Sequence, residues 1–535
     1  MAAKKESPDS GVGNATVRSL SSLVVGKVSA IILTGLTFII VARLLGASQY
    51  GVYTLAIGYA SLMGAVGNFG IGSYLNKHLA EAKHKKDGRL LSKMLVNSYA
   101  VIIPVAIGFA LLGVALSGYA ATALGMKISQ YSLLLASAAV FFSMVFAVGY
   151  SAMVGIGKSR GAAIATIVSD IFMLTISIAL ILAGYGANGA VIGLLVSYVI
   201  GAVATMVMLF AEARRMKGYA IRMPRWPDLR SVLGFSLPIA ANTIANTTGI
   251  NNFAVLLLGV YATTSTVGNY GAAYNGFNLV VVFYATITTA LLPTISVAIM
   301  KLKNNAKGSR EGMQKLYSKT LMYSLLVMLP LVVFVITFAK DIIFIFISSS
   351  YPQAPEYLGL ILVGVIVNLL ALFTANFFTA AGKVYEVLKY SMISTAAELA
   401  ALIVLVPVFQ TIGLIIAIFY VGNIIDDFNF IRGAKRIFGI ETDIKGILTA
   451  LGAAVVSALL IEAGMFLTQN IIIEVMVAVV AVCIVYPVLL IFAGLINSEV
   501  IGDVARATRK IKLIERAGDV FVAYLETLIR ICGVR

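Results

Sequence analysis

Cysteine is almost missing from this chain. There are two among 535 residues, Cys483 and Cys532, beside a single tryptophan and two histidines. So few thiols exclude a disulfide framework. Cys483 in an apolar run and Cys532 in a basic tail read as structural. The histidines, His78 and His84, share one basic segment, which excludes a histidine-built metal centre. Charge is scarce as well: 12% of residues are charged against 60% apolar, and the mean hydropathy is +0.98. Soluble domains carry about a quarter charged residues. A chain this poor in charge cannot cover itself in water, so lipid must be its solvent. The phosphate-loop pattern of Gly, four residues, then Gly-Lys-Ser/Thr does not occur, which argues against direct ATP drive. Residues 1–17 are polar and carry no apolar signal core, so the first span is expected to act as the targeting signal. No cofactor motif is present, and an enzyme reading lacks a positioned carboxylate pair and a sizeable extramembrane loop.

What the chain does have is about fourteen apolar stretches, each near or above the length that crosses a bilayer. They run over 20–45, 51–76, 94–117, 131–155, 161–184, 188–211, 233–259, 268–296, 317–339, 356–380, 388–407, 410–431, 445–467 and 471–494. Backbone groups in lipid must find partners within their own segment, so these stretches are expected as helices. The fold class is therefore an all-α polytopic membrane protein.

The connections alternate in charge. Lys77, Lys83, Lys85, Lys86, Arg89 and Lys93 fill one; Arg214, Arg215, Lys217, Arg222, Arg225 and Arg230 another. The intervening ones hold almost no Lys or Arg, with Lys127 alone in its loop. The net charge of +17 is thus parcelled into every second loop, as the positive-inside rule requires, not gathered into a nucleic-acid patch. Both termini are expected in the cytoplasm of a plasma-membrane protein. From Ser498 to Cys532, apolar residues recur every three or four positions with Arg506, Arg509, Lys510, Lys512 and Arg516 on other faces. That is an amphipathic helix, either lying on the anionic inner leaflet or docked beneath the protein's own helices.

The chain repeats itself at an offset of about 220 residues, a parallel-repeat pattern of transporters. Gly155-Ile-Gly-Lys-Ser-Arg160 answers to Ala380-Ala-Gly-Lys-Val-Tyr385, and Gly51-Val-Tyr53 to Gly268-Asn-Tyr270. Ala183-Gly-Tyr-Gly-Ala-Asn-Gly189 and Gln410-Thr-Ile-Gly413 hold equivalent places. The expected organisation is a tail over 1–19, a six-helix lobe over 20–212, a basic linker over 213–232 and a second six-helix lobe over 233–431. Two extra helices over 445–494 and the amphipathic helix over 498–535 follow. Parallel repeats place a substrate site at their interface.

Ala42-Arg-Leu-Leu-Gly-Ala-Ser-Gln-Tyr-Gly-Val-Tyr53 resembles the opening motif of polysaccharide exporters in the multidrug/oligosaccharidyl-lipid/polysaccharide superfamily. Phe235-Ser-Leu-Pro-Ile239, Leu257-Leu-Gly259 and Val267-Gly-Asn-Tyr270 look like the start of that family's second lobe. The resemblance runs over nearly the whole chain. It implies a Wzx-like flippase that moves lipid-linked sugars between leaflets by alternating access. The two helices beyond the duplication favour this branch over the twelve-span drug exporters.

Ionisable residues at bilayer depth are functional candidates. Lys27, two turns into span 1, is read as a cavity cation for a pyrophosphate or as a lysine snorkelling to the interface. Asp170 lies at similar depth in span 5 and is expected to pair with Lys27 when substrate is absent; a fixed structural ion pair is the alternative. Glu398, mid-span 11, has no basic residue at its depth in the second lobe. It is a candidate ion-coupling carboxyl beside Asp170, or a permanently protonated, hydrogen-bonded group. Arg43, ending span 1, would clamp phosphate or anchor at the interface. Asn242 and Asn246, then Tyr274, Asn275 and Asn278, offer amides and a phenol that suit sugar hydroxyls; helix–helix glue is their other use. Expected partners are a lipid-linked sugar and anionic membrane lipids, with glycan-assembly enzymes as candidates. The alternative function is a cation-coupled exporter of amphipathic cations, with Asp170 and Glu398 governing an anionic cavity.

Overall fold

The computed structural model describes residues 8–67, 70–85, 87–215, 226–244, 247–304, 309–467, 471–496, 502 and 515–532. Among them there is helix and no strand, and the protein is an all-α polytopic membrane protein. The helices are α1 (Pro8–Gly67), α2 (Ile71–His84), α3 (Gly88–Ala123), α4 (Gln130–Gly155), α5 (Ser159–Leu180) and α6 (Gly186–Arg214). After the linker come α7 (Trp226–Ile244), α8 (Thr247–Tyr261), α9 (Thr264–Asn304), α10 (Ser309–Thr337), α11 (Ala339–Ile342) and α12 (Ala354–Ala380). The chain continues through α13 (Val384–Ile415), α14 (Asn423–Phe438), α15 (Ile444–Leu467), α16 (Ile471–Val480), α17 (Tyr486–Phe492) and α18 (Glu515–Cys532).

Local chemistry sets several of these boundaries. Asp87 caps α3 by accepting from the Arg89 and Leu90 amides at 2.9 and 3.0 Å. Ser129 caps α4 through the Ser132 amide at 3.2 Å. Gly46, at φ +67°, makes the joint between the two spans carried by α1, a conformation an L side chain seldom adopts. The apolar helical runs Ser159–Arg214 and Val384–Phe438 hold 56 and 55 residues, far beyond the ~20 that cross a bilayer. Both are interrupted. A π-turn at Ile181–Tyr185 with Gly184 at φ +91° divides the first, and Gln410 at φ +48° behind Pro407 divides the second, which also carries a π-turn at Ile416–Gly422.

Contacts group the chain into two compact units. The first takes residues 1–275, 343–354 and 399–414; the second takes 276–342, 355–398 and 415–535. In the first, α3, α4, α5 and α6 pack around α1, with α5 lying along α6. Ser169 donates to the Ser197 carbonyl at 2.7 Å across that last pair, and Ser132 to the Asn188 amide oxygen at 2.5 Å. The core of the second unit is aromatic. The fully buried Tyr317 sits 5.5 and 5.4 Å from Phe373 and Phe377, and Phe378 sits against Phe430, Phe438 and Tyr390. The connection between α14 and α15 is strapped to α10: Gln314 donates to the Glu441 carbonyl at 2.6 Å and accepts from its amide at 2.7 Å.

The amphipathic α18 docks on the protein. Val522, Leu525 and Leu528 are buried and α18 packs on α17, while Ile531 on another side stays exposed. Its basic first half, 503–514, lies outside the described residues, as do much of the N-terminal tail and the linker segment 216–225.

Candidate functional site

Glu398 sits on α13 and is only 6% exposed. The backbone of Gly422 lies flush against its carboxyl, so that a Cβ there would overlap Oε1. Its other oxygen, Oε2, has no hydrogen-bond partner. Asp426, one turn beyond Gly422, faces it within electrostatic range, accepts from Ser394 and leaves its own Oδ1 without a partner. Asp427 turns the other way and accepts from the Ala371 amide at 2.7 Å. Asn423 closes the group: it accepts from Asn368 at 2.7 Å and donates to the Gly364 carbonyl at 2.9 Å. Two carboxyls, both with a bare buried oxygen, therefore lie within electrostatic range of each other. Leaving such atoms unmatched costs stability, which makes the pair a candidate to bind something small and positive.

Sequence reading found Glu398 and missed Asp426 and Asp427. The signal was there, two successive acids inside the apolar stretch 410–431.

In the first unit, Asp170 on α5 is half-buried and accepts from Thr34 of α1 at 3.4 Å. Lys27 lies about two turns before Thr34 along α1. Its side chain, and so the expected pairing with Asp170, lies outside what is described. Arg43 is exposed on α1 just ahead of the Gly46 joint.

The amide set behaves unevenly. Asn275 is committed: it donates to the Tyr50 hydroxyl at 3.1 Å and the Gly271 carbonyl at 2.9 Å. Tyr274 is half-buried and stacks on Tyr270 with ring centres 5.9 Å apart. Tyr270 in turn donates to Asn251 at 2.5 Å, a pair the sequence did not single out. Asn278 is half-buried one turn beyond Tyr274. The side chain of Asn242 and the whole of Asn246 lie outside the described residues.

Beyond these groups, α1 meets α9 at the Gly46 end. Gly51 and Gly268 abut, Ser48 and Thr264 hydroxyls are 3.0 Å apart, and Tyr351 donates to the Ala42 carbonyl at 2.6 Å. Asn269 holds the neighbouring loop by accepting from the Gln353 and Ala354 amides, both at 3.0 Å. Lys127 donates to the Gly259, Val260 and Ala262 carbonyls at 3.0, 3.2 and 2.9 Å, which ties the α3–α4 turn to the C-terminus of α8.

Residues 40–356 match the family described as polysaccharide biosynthesis protein, more than half of the chain. The chain belongs to that family. The membership bears out the resemblance of Ala42–Tyr53 and Leu257–Tyr270 to the polysaccharide branch of the superfamily, since both motifs fall inside the match. Among curated relatives, the chain is 22% identical over 330 residues to the probable low-salt glycan biosynthesis flippase Agl15 of Haloferax volcanii. That match spans 62% of this chain and 64% of the relative's length. Among solved structures, it resembles the lipid II flippase MurJ in an inward closed conformation, with a TM-score of 0.69 at 16% identity over 88% of this chain and 99% of that one. It also resembles an inward-facing multidrug resistance MATE family transporter of the MOP superfamily. There the TM-score is 0.60 at 16% identity, over 77% of this chain and 95% of that one. At such identity these structures speak for the fold alone, a multi-pass helical architecture.

Proposed function

We propose that the protein is a flippase that carries an oligosaccharide linked to polyprenyl phosphate or pyrophosphate across the plasma membrane by alternating access, for cell-surface glycan assembly. Membership in the polysaccharide biosynthesis family is the observation that carries this reading. The name of the Haloferax relative and the MurJ-like fold support it. Both termini face the cytoplasm, and the Gly46 end of the bundle faces out.

Lys27 and Arg43 hold the phosphate groups. Asn242, Asn246, Tyr274, Asn275 and Asn278 line the sugar path, with Asn275 released from Tyr50 as the path opens. The polyprenyl tail stays in lipid. Asp170 and the Glu398–Asp426 pair couple the return of the empty carrier to a cation or proton. A substrate with about two negative charges that leaves a negative-inside cell gains roughly 4–5 kcal/mol per 100 mV, so the outward stroke needs no ATP motor. Anionic lipids gather at the basic loops, and glycan-assembly enzymes receive the product.

The Glu398–Asp426 pair also suits a second reading, a cation-coupled exporter of amphipathic cations. Purified protein in vesicles separates the two. A fluorescent polyprenyl-pyrophosphate sugar that moves from the inner to the outer leaflet supports the flippase. Efflux of a lipophilic cation without sugar movement supports the exporter.

A further inference from the structure

Gly51 and Gly268 stand at equivalent places in the two halves of the duplicated sequence, and they touch. A Cβ built on Gly51 would overlap the Thr264 carbonyl oxygen, lying 2.7 Å from its carbon and 3.0 Å from the Gly268 amide nitrogen. A Cβ on Gly268 would overlap the Ala47 carbonyl oxygen, lying 2.9 Å from its carbon and 3.0 Å from the Gly51 nitrogen. The contact is reciprocal: Ala47 and Thr264 are counterparts in the repeat just as the glycines are. Two backbones meet with no side chain between them, and each glycine faces the carbonyl four residues before the other. Backbone cannot swing aside as a side-chain end can. Both residues are fully buried, and the Ser48–Thr264 and Tyr351–Ala42 hydrogen bonds flank them.

We infer that Gly51 and Gly268 form a steric latch: the outer end of the carrier closes only because both positions lack a Cβ, and this contact parts and re-forms once in each transport cycle. The latch rests on the alternating-access reading of the protein for its role in transport. The contact itself does not. A methyl at either position blocks full closure and shifts the population toward the outward-open form. Gly58, two turns further along α1, is a built-in contrast. A Cβ there would meet the Val255 Cγ1 at 3.4 Å, ordinary van der Waals contact, so it is not part of the latch.

The test uses the Ser48→Cys/Thr264→Cys pair in the full chain, with Cys483 and Cys532 replaced by Ser. The native hydroxyls are 3.0 Å apart, so a mild oxidant should link the cysteines only while the latch is shut. The expected result is rapid linkage in this parent and in its Gly58→Ala variant. In the Gly51→Ala and Gly268→Ala variants, linkage should slow about tenfold or more, in line with the cost of forcing a methyl into packed backbone. Equal linkage rates in the alanine variants would overturn the latch. Flipping of a fluorescent polyprenyl-pyrophosphate sugar is measured on the same samples. A reduced parent that does not flip refutes the flippase reading while the linkage comparison still judges the contact. If neither alanine variant folds, the parent decides: the disulfide should stop transport and reduction should restore it. Transport that continues in the linked form would show that this end never parts, and would overturn the proposal.

Discussion

The carboxyl of Glu398 lies directly against the bare backbone of Gly422, one turn from Asp426, with Oε2 left without a partner. Close passage of α13 past the segment that leads into α14 depends on the absence of a side chain at 422. The glycine sets the depth to which the acid can sink, and the acid's free oxygen sets what the site can do.

Gly422→Ala should therefore destabilise the protein by about 1–3 kcal/mol, the usual cost of overpacking. Thermal unfolding in detergent measures it. The same alanine in a Glu398→Ala background should cost less, because the clash is with the Glu398 side chain. Strictly additive losses would show that the methyl at 422 is costly for a reason other than the Glu398 side chain.

Glu398→Gln keeps the shape of the side chain and removes its titration. If cation coupling runs through the Glu398–Asp426 pair, the pH dependence of transport should flatten in this variant while the protein's melting temperature stays close to the parent's. A pH profile superimposable on the parent's would remove Glu398 from coupling and leave Asp170 and Asp426 as the candidates.

Lys127 explains an exception in the charge pattern. It is the basic residue in a loop of the class that otherwise carries almost none, and it holds three carbonyls at the end of α8. Cations at helix C-termini are favourable there. Lys127→Met should destabilise the protein by about 1.5–3 kcal/mol, the range for hydrogen bonds to a charged group. Lys127→Arg should recover part of that loss. A methionine variant that melts with the parent would show that water replaces the lysine at no cost.

Thr34 and Asp170 join α1 to α5, and Lys27 stands about two turns from Thr34 along α1. A double-mutant cycle of Lys27→Ala and Asp170→Ala on transport should give losses that are not additive. Additive losses would mean that the two charges act apart, and that Asp170 serves through Thr34 alone.

Much of the fold was legible because lipid makes two demands that sequence displays directly. Each span must be apolar over a fixed length, and basic residues must alternate between loops. The expected stretches fall mostly on helix where they are described, with turns at Gly70 and Phe338 inside two of them, and eight helical runs among the described residues are long and apolar enough to cross a membrane. Partners were harder to read. Asn275 reads as a sugar ligand or as helix–helix glue, and in the structure its hydrogen bonds go to Tyr50 and to its own helix. Asp426 and Asp427 fall inside the expected span 410–431 without being singled out there, yet they turn toward α13 and α12. The Gly51 and Gly268 motifs were visible as a repeat. Their mutual contact was not, because periodicity reports which face a residue occupies and not what lies opposite. For α18 the pattern left membrane and protein docking open, and the buried Val522, Leu525 and Leu528 decide for the protein along that part.

The measurement that tests the central claim most directly is translocation of a fluorescent polyprenyl-pyrophosphate sugar in proteoliposomes, with wild type and Lys27→Ala compared under an imposed membrane potential. The account predicts flipping by wild type that quickens when the donor side is negative, and its collapse in a folded Lys27→Ala protein. Wild-type protein that leaves the sugar lipid in place, yet expels a lipophilic cation from the same vesicles, would contradict it.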